Sequence, residues 1–341
     1  MTNISKKTLL IFCIALSIFL LIGCSSGENK YKTALEDTGK SIYMSLTAPQ
    51  TGPIGGEWAI IGLARNNYNV EDGYYEKYIA NTENYVKKLK GVLNTETGYK
   101  YTEYSRIILA FTALGEDVTS ISGYNFLEKL SDMDNVCRQG TNGPIWALLA
   151  FDSGNYDIPK NKENKSQTTR EGLITEILEK QLDDGGWDIA DVEADPDMTA
   201  MALTSLAPYY TNSSDNIDEI SGDLMDRIKA AVDKGINTLS SIQSESGTYS
   251  SMGGESAESS SQVIVALSAL GVDAGADNRF IKNKNTALDG LLKFYDNDGG
   301  FYHTNGEEKP NQMATEQAYY ALVSYDRYKN NKNALFQMTD N

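Results

Sequence analysis

Two carboxylates stand two residues apart in Asp195-Pro196-Asp197-Met198-Thr199-Ala200, directly at the head of an apolar stretch. A carboxyl group poised to give up a proton near neutral pH needs neighbours that shift its pKa and support its conjugate base. Asp197 is a candidate proton donor on these grounds, with Asp195 as its neighbour. Two later stretches carry polar groups in a similar place, at Ser261-Gln262 and at Glu316-Gln317. Aligned on their Ala-Leu pairs, the three segments put Asp197, Ser261 and Glu316 at one position and Met198, Gln262 and Gln317 at the next. Together with Thr199, these groups read either as the lining of a ligand cavity or as helix caps, because Asp and Ser are favoured at helix starts. Zinc chemistry has little to draw on. Thiolate and imidazole are its natural ligands, yet Cys137 lies outside the apolar stretches and His303, the sole histidine, sits in a Gly-rich turn. No metal and no cofactor is expected. The run Asp296-Asn297-Asp298-Gly299-Gly300 lacks the spacing of a calcium loop and reads as a turn.

The elements that must position these residues are short helices of two kinds. Residues 56–64, 103–114, 143–151, 197–206, 262–270 and 317–323 contain few charges and are apolar nearly all round, as helices buried on both sides are. Between them lie amphipathic segments at 75–90, 172–181, 224–242 and 286–295, with weaker ones at 32–46 and 124–130. In residues 227–236 the apolar positions follow helical spacing, with charges on the other face. Buried helices alternating with amphipathic ones make hairpins that close into two concentric rings. The expected fold is all-α, an α6/α6 toroid over residues 35–330. Its inner helices would run parallel, gathering their N-termini at one mouth of the ring, where orphan N–H groups and dipoles favour acidic side chains or an anionic ligand.

The turns add a repeat. Gln181-Leu182-Asp183-Asp184-Gly185-Gly186-Trp187 ends one outer segment, Gln243 to Gly247 and Tyr249 copies its spacing, and Asp298-Gly299-Gly300-Phe301 is a third, degenerate copy. Gln181, Gly185 and Trp187 resemble the Gln-Trp repeat of the terpene cyclase and protein prenyltransferase superfamily, whose fold is the same toroid. Within that resemblance, Asp195 to Ala200 is similar to the DxDD-Thr-Ala motif of squalene cyclase-like enzymes. It implies Asp197 as the proton donor and Asp195 as the first acid, with Met198 where the last Asp would stand. The prenyltransferase zinc ligands have no counterparts. Gly55-Gly56-Glu57-Trp58 lacks the Cys and Gln of the thioester proteins that share the ring. The segment 197–203 also resembles a helix of the intrinsic factor and transcobalamin domain, which implies a corrinoid at the ring mouth. Many glycoside hydrolases are α6/α6 barrels with paired carboxylates, a role Asp197 and Glu316 could imitate, with the chain's 21 tyrosines available to stack on sugars.

The ends of the chain suggest an address. Lys6 and Lys7 precede an apolar run from Leu9 to Ile22, an export signal too short for a stable span. Its end, Leu21-Ile22-Gly23-Cys24, resembles the lipobox of bacterial lipoproteins, which implies cleavage before Cys24 and a lipid on its thiol. Residues 1–23 are then the signal peptide, 24–34 a flexible tether and 331–341 a polar tail. The expected location is extracytoplasmic, on the bacterial membrane through Cys24. The formal charge of −17 disfavours nucleic acid as a partner. The leading expectation is a non-catalytic lipoprotein that binds a small extracellular ligand, apolar or corrinoid-like, in the ring cavity. Two alternatives stand beside it: an enzyme, cyclase-like or carbohydrate-active, and a surface scaffold for another protein.

Overall fold

The computed structural model describes residues 25–93, 100–190 and 192–340; Cys24 and the segment read as an export signal lie outside them. Six inner helices form the core: α2 (Glu57–Arg65), α4 (Tyr101–Leu114), α7 (Asn142–Ser153), α9 (Pro196–Tyr210), α11 (Ala257–Ala269) and α13 (Gln312–Lys329). Each touches the next in that order, and α13 returns to α2, so the ring is closed. Outside it run α1 (Ser25–Ser45), α3 (Tyr74–Lys88), α8 (Arg170–Glu179) and α10 (Gly222–Ile242). Two outer positions are filled by short pieces: α5 (Phe126–Lys129) with α6 (Met133–Val136), and α12 (Ala287–Leu291). The fold is the expected α6/α6 toroid.

Burial explains the two helix types. In α7 every residue except Asn142 and Asp152 is buried, because the ring covers one side and outer elements the other. In α10 only the stripe through Leu224, Ile228, Val232, Ile236 and Leu239 is buried, against α9. Gly235 on that stripe allows the approach, since a Cβ there would lie 2.9 Å from Leu203 and 3.1 Å from Trp187.

The Gln-Trp repeat is the joint between an outer helix and the next inner one. Gln181 donates to the carbonyls of Gly185 and Ala231, both at 2.8 Å, and the Trp187 indole donates to the Ile177 carbonyl at 2.7 Å. Gln243 repeats the pattern with Gly247 and Phe280, and Tyr249 is buried in the place of Trp187. Gly185, Gly247 and Gly299 hold φ of +91°, +87° and +91°, a region that favours glycine.

Both ends of the chain pack more firmly than their composition suggests. The segment read as a tether is the first part of α1, which crosses the boundary at residue 35; Tyr31 and Ala34 are buried, and Tyr31 meets Tyr325 edge-on at 5.1 Å. The segment read as a polar tail buries Leu335, Phe336 and Met338 in the end of the ring where the inner helices finish. Arg65 donates to the carbonyls of Ala334, Leu335 and Gln337, and Arg327 to that of Asn333. Two arginines from the last turns of α2 and α13 thus fasten a plug of polar backbone and apolar side chains.

Candidate functional site

With one end plugged, the ring opens at the other, where the inner helices begin. A recess of about 200 Å³ sits there and takes lining residues from all six inner helices. Trp58 and Trp146 pack against each other in its lining with ring centroids 5.2 Å apart, and Tyr320 lies 5.6 Å from Trp58. One wall carries Gln262 and Gln317 beside Met201. Gln262 donates from its amide to Gln317 Oε1 at 2.9 Å and to the Tyr320 hydroxyl at 2.6 Å. The facing wall carries Thr102, Gln139 and Arg106; Gln139 Oε1 accepts from the Thr102 backbone at 2.8 Å. Arg106 Nε donates to Glu57 Oε2 at 2.9 Å, and Glu57 is fully buried behind it, accepting also from the Gly52 backbone.

Asp197 stands at the rim. Its i+4 neighbour on α9 is Met201, so the carboxyl lies one turn above the recess on the same helix face. It does not cap its helix. Asp195 does, with Oδ1 accepting from the Met198 backbone at 2.9 Å and Oδ2 from Ser251 at 2.5 Å. Oδ1 of Asp197 is buried and has no hydrogen-bond partner. Burial pushes this carboxyl up to about 6; a hydrogen bond with Ser259 pulls it down, and the charges of Asp195 and Glu258 raise it further.

The caps also correct the alignment of the repeats. Asp195, Ser256 and Asn311 each accept from a backbone N–H three residues on, and each donates its own N–H to the carbonyl of the joint aromatic, Trp187, Tyr249 or Phe301. Counting from these caps, Met201, Gln262 and Gln317 are equivalent and face the recess. Ser261 and Glu316 are equivalent to each other, but Asp197 matches Glu258. The Ala-Leu pairs lie on the buried back of each helix and allowed a slip of most of a turn.

Ser261 and Glu316 therefore point elsewhere. The Ser261 hydroxyl donates to the Ala257 carbonyl at 2.7 Å within α11. Glu316 accepts from the Gly55 backbone at 2.9 Å and from Gln312 at 2.9 Å, fastening the connection into α2. Burial pushes Glu316 up to about 7, the Gly55 and Gln312 hydrogen bonds oppose this, and Glu57 adds to the rise. The expected pair of Asp197 with Glu316 does not form. Thr199 belongs to the joint, its hydroxyl accepting from the Trp187 backbone at 2.9 Å. His303, from the connection into α13, places Nδ1 2.8 Å from Glu258 Oε2.

Reasoning from the sequence missed Trp58, Trp146, Arg106, Tyr320 and Glu258. For Glu258 a signal existed: Ser256-Ala257-Glu258 repeats the cap-to-acid spacing of Asp195-Pro196-Asp197. Among the described residues, no group of three His, Cys, Asp or Glu side chains is placed to hold a metal ion.

The ring as a fold has solved neighbours. A crystal structure of unsaturated glucuronyl hydrolase from Bacillus sp. GL1, described as responsible for the degradation of glycosaminoglycan, is similar with a TM-score of 0.57 and 12% identity. The match covers 92% of this chain and 100% of that one. A second structure, of UGL with dGlcA-Glc-Rha-Glc, is similar at a TM-score of 0.55 and 11% identity over the same shares of both chains. At such identity the likeness establishes the fold. No family model and no curated protein matches the sequence.

The neighbours correct the resemblance to squalene cyclases and prenyltransferases. The residues that carried it, Gln181, Gly185 and Trp187, spend their hydrogen bonds on a joint that any hairpin of this ring can use, and a joint carries no chemistry. Asp195 and Thr199, taken with Asp197 as a cyclase motif, are a cap and a clasp. The reading as a non-catalytic receptor for an apolar or corrinoid ligand falls as well. The solved neighbours are hydrolases, and the recess is lined mainly with amides, a guanidinium and indoles, with Met201 as its one aliphatic side chain.

Proposed function

We propose that the chain is a carbohydrate-active enzyme that binds an acidic saccharide in the ring mouth and uses Asp197 as its general acid. The observation that carries the reading is the buried, unpartnered Oδ1 of Asp197 one turn above a recess walled by indoles and amides. Indole faces suit the C–H faces of sugar rings, and fixed amides suit their hydroxyls. Glu57 occupies only the Nε of Arg106, which leaves the rest of its fork to receive a carboxylate such as that of a uronic acid. A carboxyl near 6 is partly protonated at neutral pH and gives up its proton to a departing oxygen. The names of the similar structures support this choice of substrate.

The same reading puts the enzyme outside the cytoplasm, held by a lipid on Cys24. In support, α1 has 21 residues, about 30 Å of helix, and ends beside the mouth, so Ser25 lies towards the plugged end. A lipid there would hold the ring with its mouth facing away from the membrane.

The test is turnover by the purified chain of a panel of neutral, uronate-bearing and unsaturated-uronate oligosaccharides, read by mass spectrometry. Cleavage of uronate-bearing members, lost by roughly 10²–10⁴-fold in Asp197→Asn, is expected. An intact panel, or full activity in the variant, contradicts the proposal.

A further inference from the structure

The mouth contains a second carboxylate that the proposed acid chemistry does not yet use. Glu258 occupies on α11 the place that Asp197 occupies on α9, two residues past a capping side chain. Its i+4 neighbour, Gln262, faces the recess, as does Met201 below Asp197. The two helices are adjacent and parallel. Packed helices lie about 8–10 Å apart, which spaces equivalent side chains by a similar distance. Carboxyl pairs that admit a water between acid and base are about 6.5–9.5 Å apart. Proximity shows in the electrostatics too: Glu258 raises Asp197, and both act on the Tyr320 hydroxyl beneath them.

Glu258 is also held. Its side chain is 13% exposed, and Oε2 lies 2.8 Å from His303 Nδ1. His303 is itself fixed through its backbone, its N–H donating to Glu307 at 2.9 Å and its carbonyl accepting from Ala257 at 3.0 Å. The connection into α13 thus lays a ring nitrogen across the head of α11 and fixes one oxygen of the carboxylate.

We infer that Glu258 is the general base of this site, with His303 as the residue that positions it. The inference rests on the proposed saccharide chemistry. Asp197 donates its proton to the glycosidic oxygen as the bond from that oxygen to the anomeric carbon breaks. A water held by Glu258 attacks the anomeric carbon from the opposite face and passes its proton to the carboxylate. One water is consumed, two saccharides leave, and solvent returns a proton to Asp197 and removes one from Glu258. Displacement from the opposite face inverts the anomeric configuration.

The experiment uses the purified chain and the oligosaccharide found to be cleaved. Proton NMR of the newborn reducing end should show inverted configuration. Glu258→Gln should lower kcat by at least roughly 100-fold with an unchanged melting temperature. Azide should restore turnover to Glu258→Ala and appear in the product as a glycosyl azide of inverted configuration, which a structural role for Glu258 would not produce. His303→Gln, which leaves α11 untouched, should lower kcat by about tenfold and leave KM unchanged. Retained configuration, or Glu258→Gln within threefold of wild type while Asp197→Asn is inactive, would overturn the inference and leave the saccharide reading standing. A wild-type chain that cleaves nothing would instead remove the reading on which it rests.

Discussion

Replacing Asp197 by Asn should stabilise the protein while it destroys activity. Burial lifts this carboxyl from an ordinary 3.8 to about 6, so the folded chain binds more protons than the unfolded one between those values. Stability then falls as pH rises from about 4 through 6, because the charged form must be kept in a buried place without a full set of partners. Roughly two pKa units correspond to about 3 kcal/mol at 1.36 kcal/mol per unit. The neutral amide has nothing to ionise, so Asp197→Asn should match the wild type near pH 4 and exceed it by about 3 kcal/mol at pH 8. In a domain of this size that raises the melting temperature by roughly 4–5 °C. Glu316, Glu57 and Asp152 are raised in both proteins and cancel in the difference. The assay is thermal melting of both proteins from pH 4 to 8, with turnover measured on the same preparations. A variant whose stability differs from the wild type by the same amount at pH 4 and pH 8 would refute the reasoning.

Other perturbations separate the site from its frame. Trp146→Ala should raise KM for a saccharide about tenfold with little change in kcat, by loss of roughly 1.5 kcal/mol of ring contact, as steady-state kinetics would show. Glu316→Gln should keep turnover within about twofold, since its carboxyl faces the Gly55 backbone and not the recess. Gln181→Ala removes two hydrogen bonds to backbone carbonyls and should cost about 2 kcal/mol in denaturant unfolding without altering KM. Phe336→Ala, which empties the plug beneath Trp146, should cost roughly 3–5 kcal/mol by the same measurement.

The ring was legible because its chemistry is local. Each inner helix announces itself by apolar residues on all sides, and two of the joints by a Gln, a left-handed Gly and an aromatic within seven residues. The site was less legible because its contacts cross the ring. Arg106 meets Glu57 from 49 positions away, and Gln262 meets Gln317 from 55. Local spacing cannot reveal that these face one cavity. The plug was hidden for another reason: Leu335, Phe336 and Met338 have no helical period, and Arg65, which holds their backbone, lies some 270 residues earlier. The functional misreading came from the joint itself. Gln181 and Trp187 are the most recognisable residues of the chain, and they close the fold rather than act on a ligand.

The claim at the centre of this account is that a saccharide is bound in the recess lined by Trp58 and Trp146 and is cleaved there by the acid of Asp197. Two of the chain's three tryptophans line the recess, so indole fluorescence reports its occupancy. The decisive measurement is a fluorescence titration of Asp197→Asn with an oligosaccharide that the wild type cleaves, followed by mass analysis of the bound sugar. Saturable binding with the Kd of the wild-type recess, and an intact saccharide after prolonged incubation, is the predicted result. Absence of a fluorescence change, or a cleaved sugar in the variant, would contradict it.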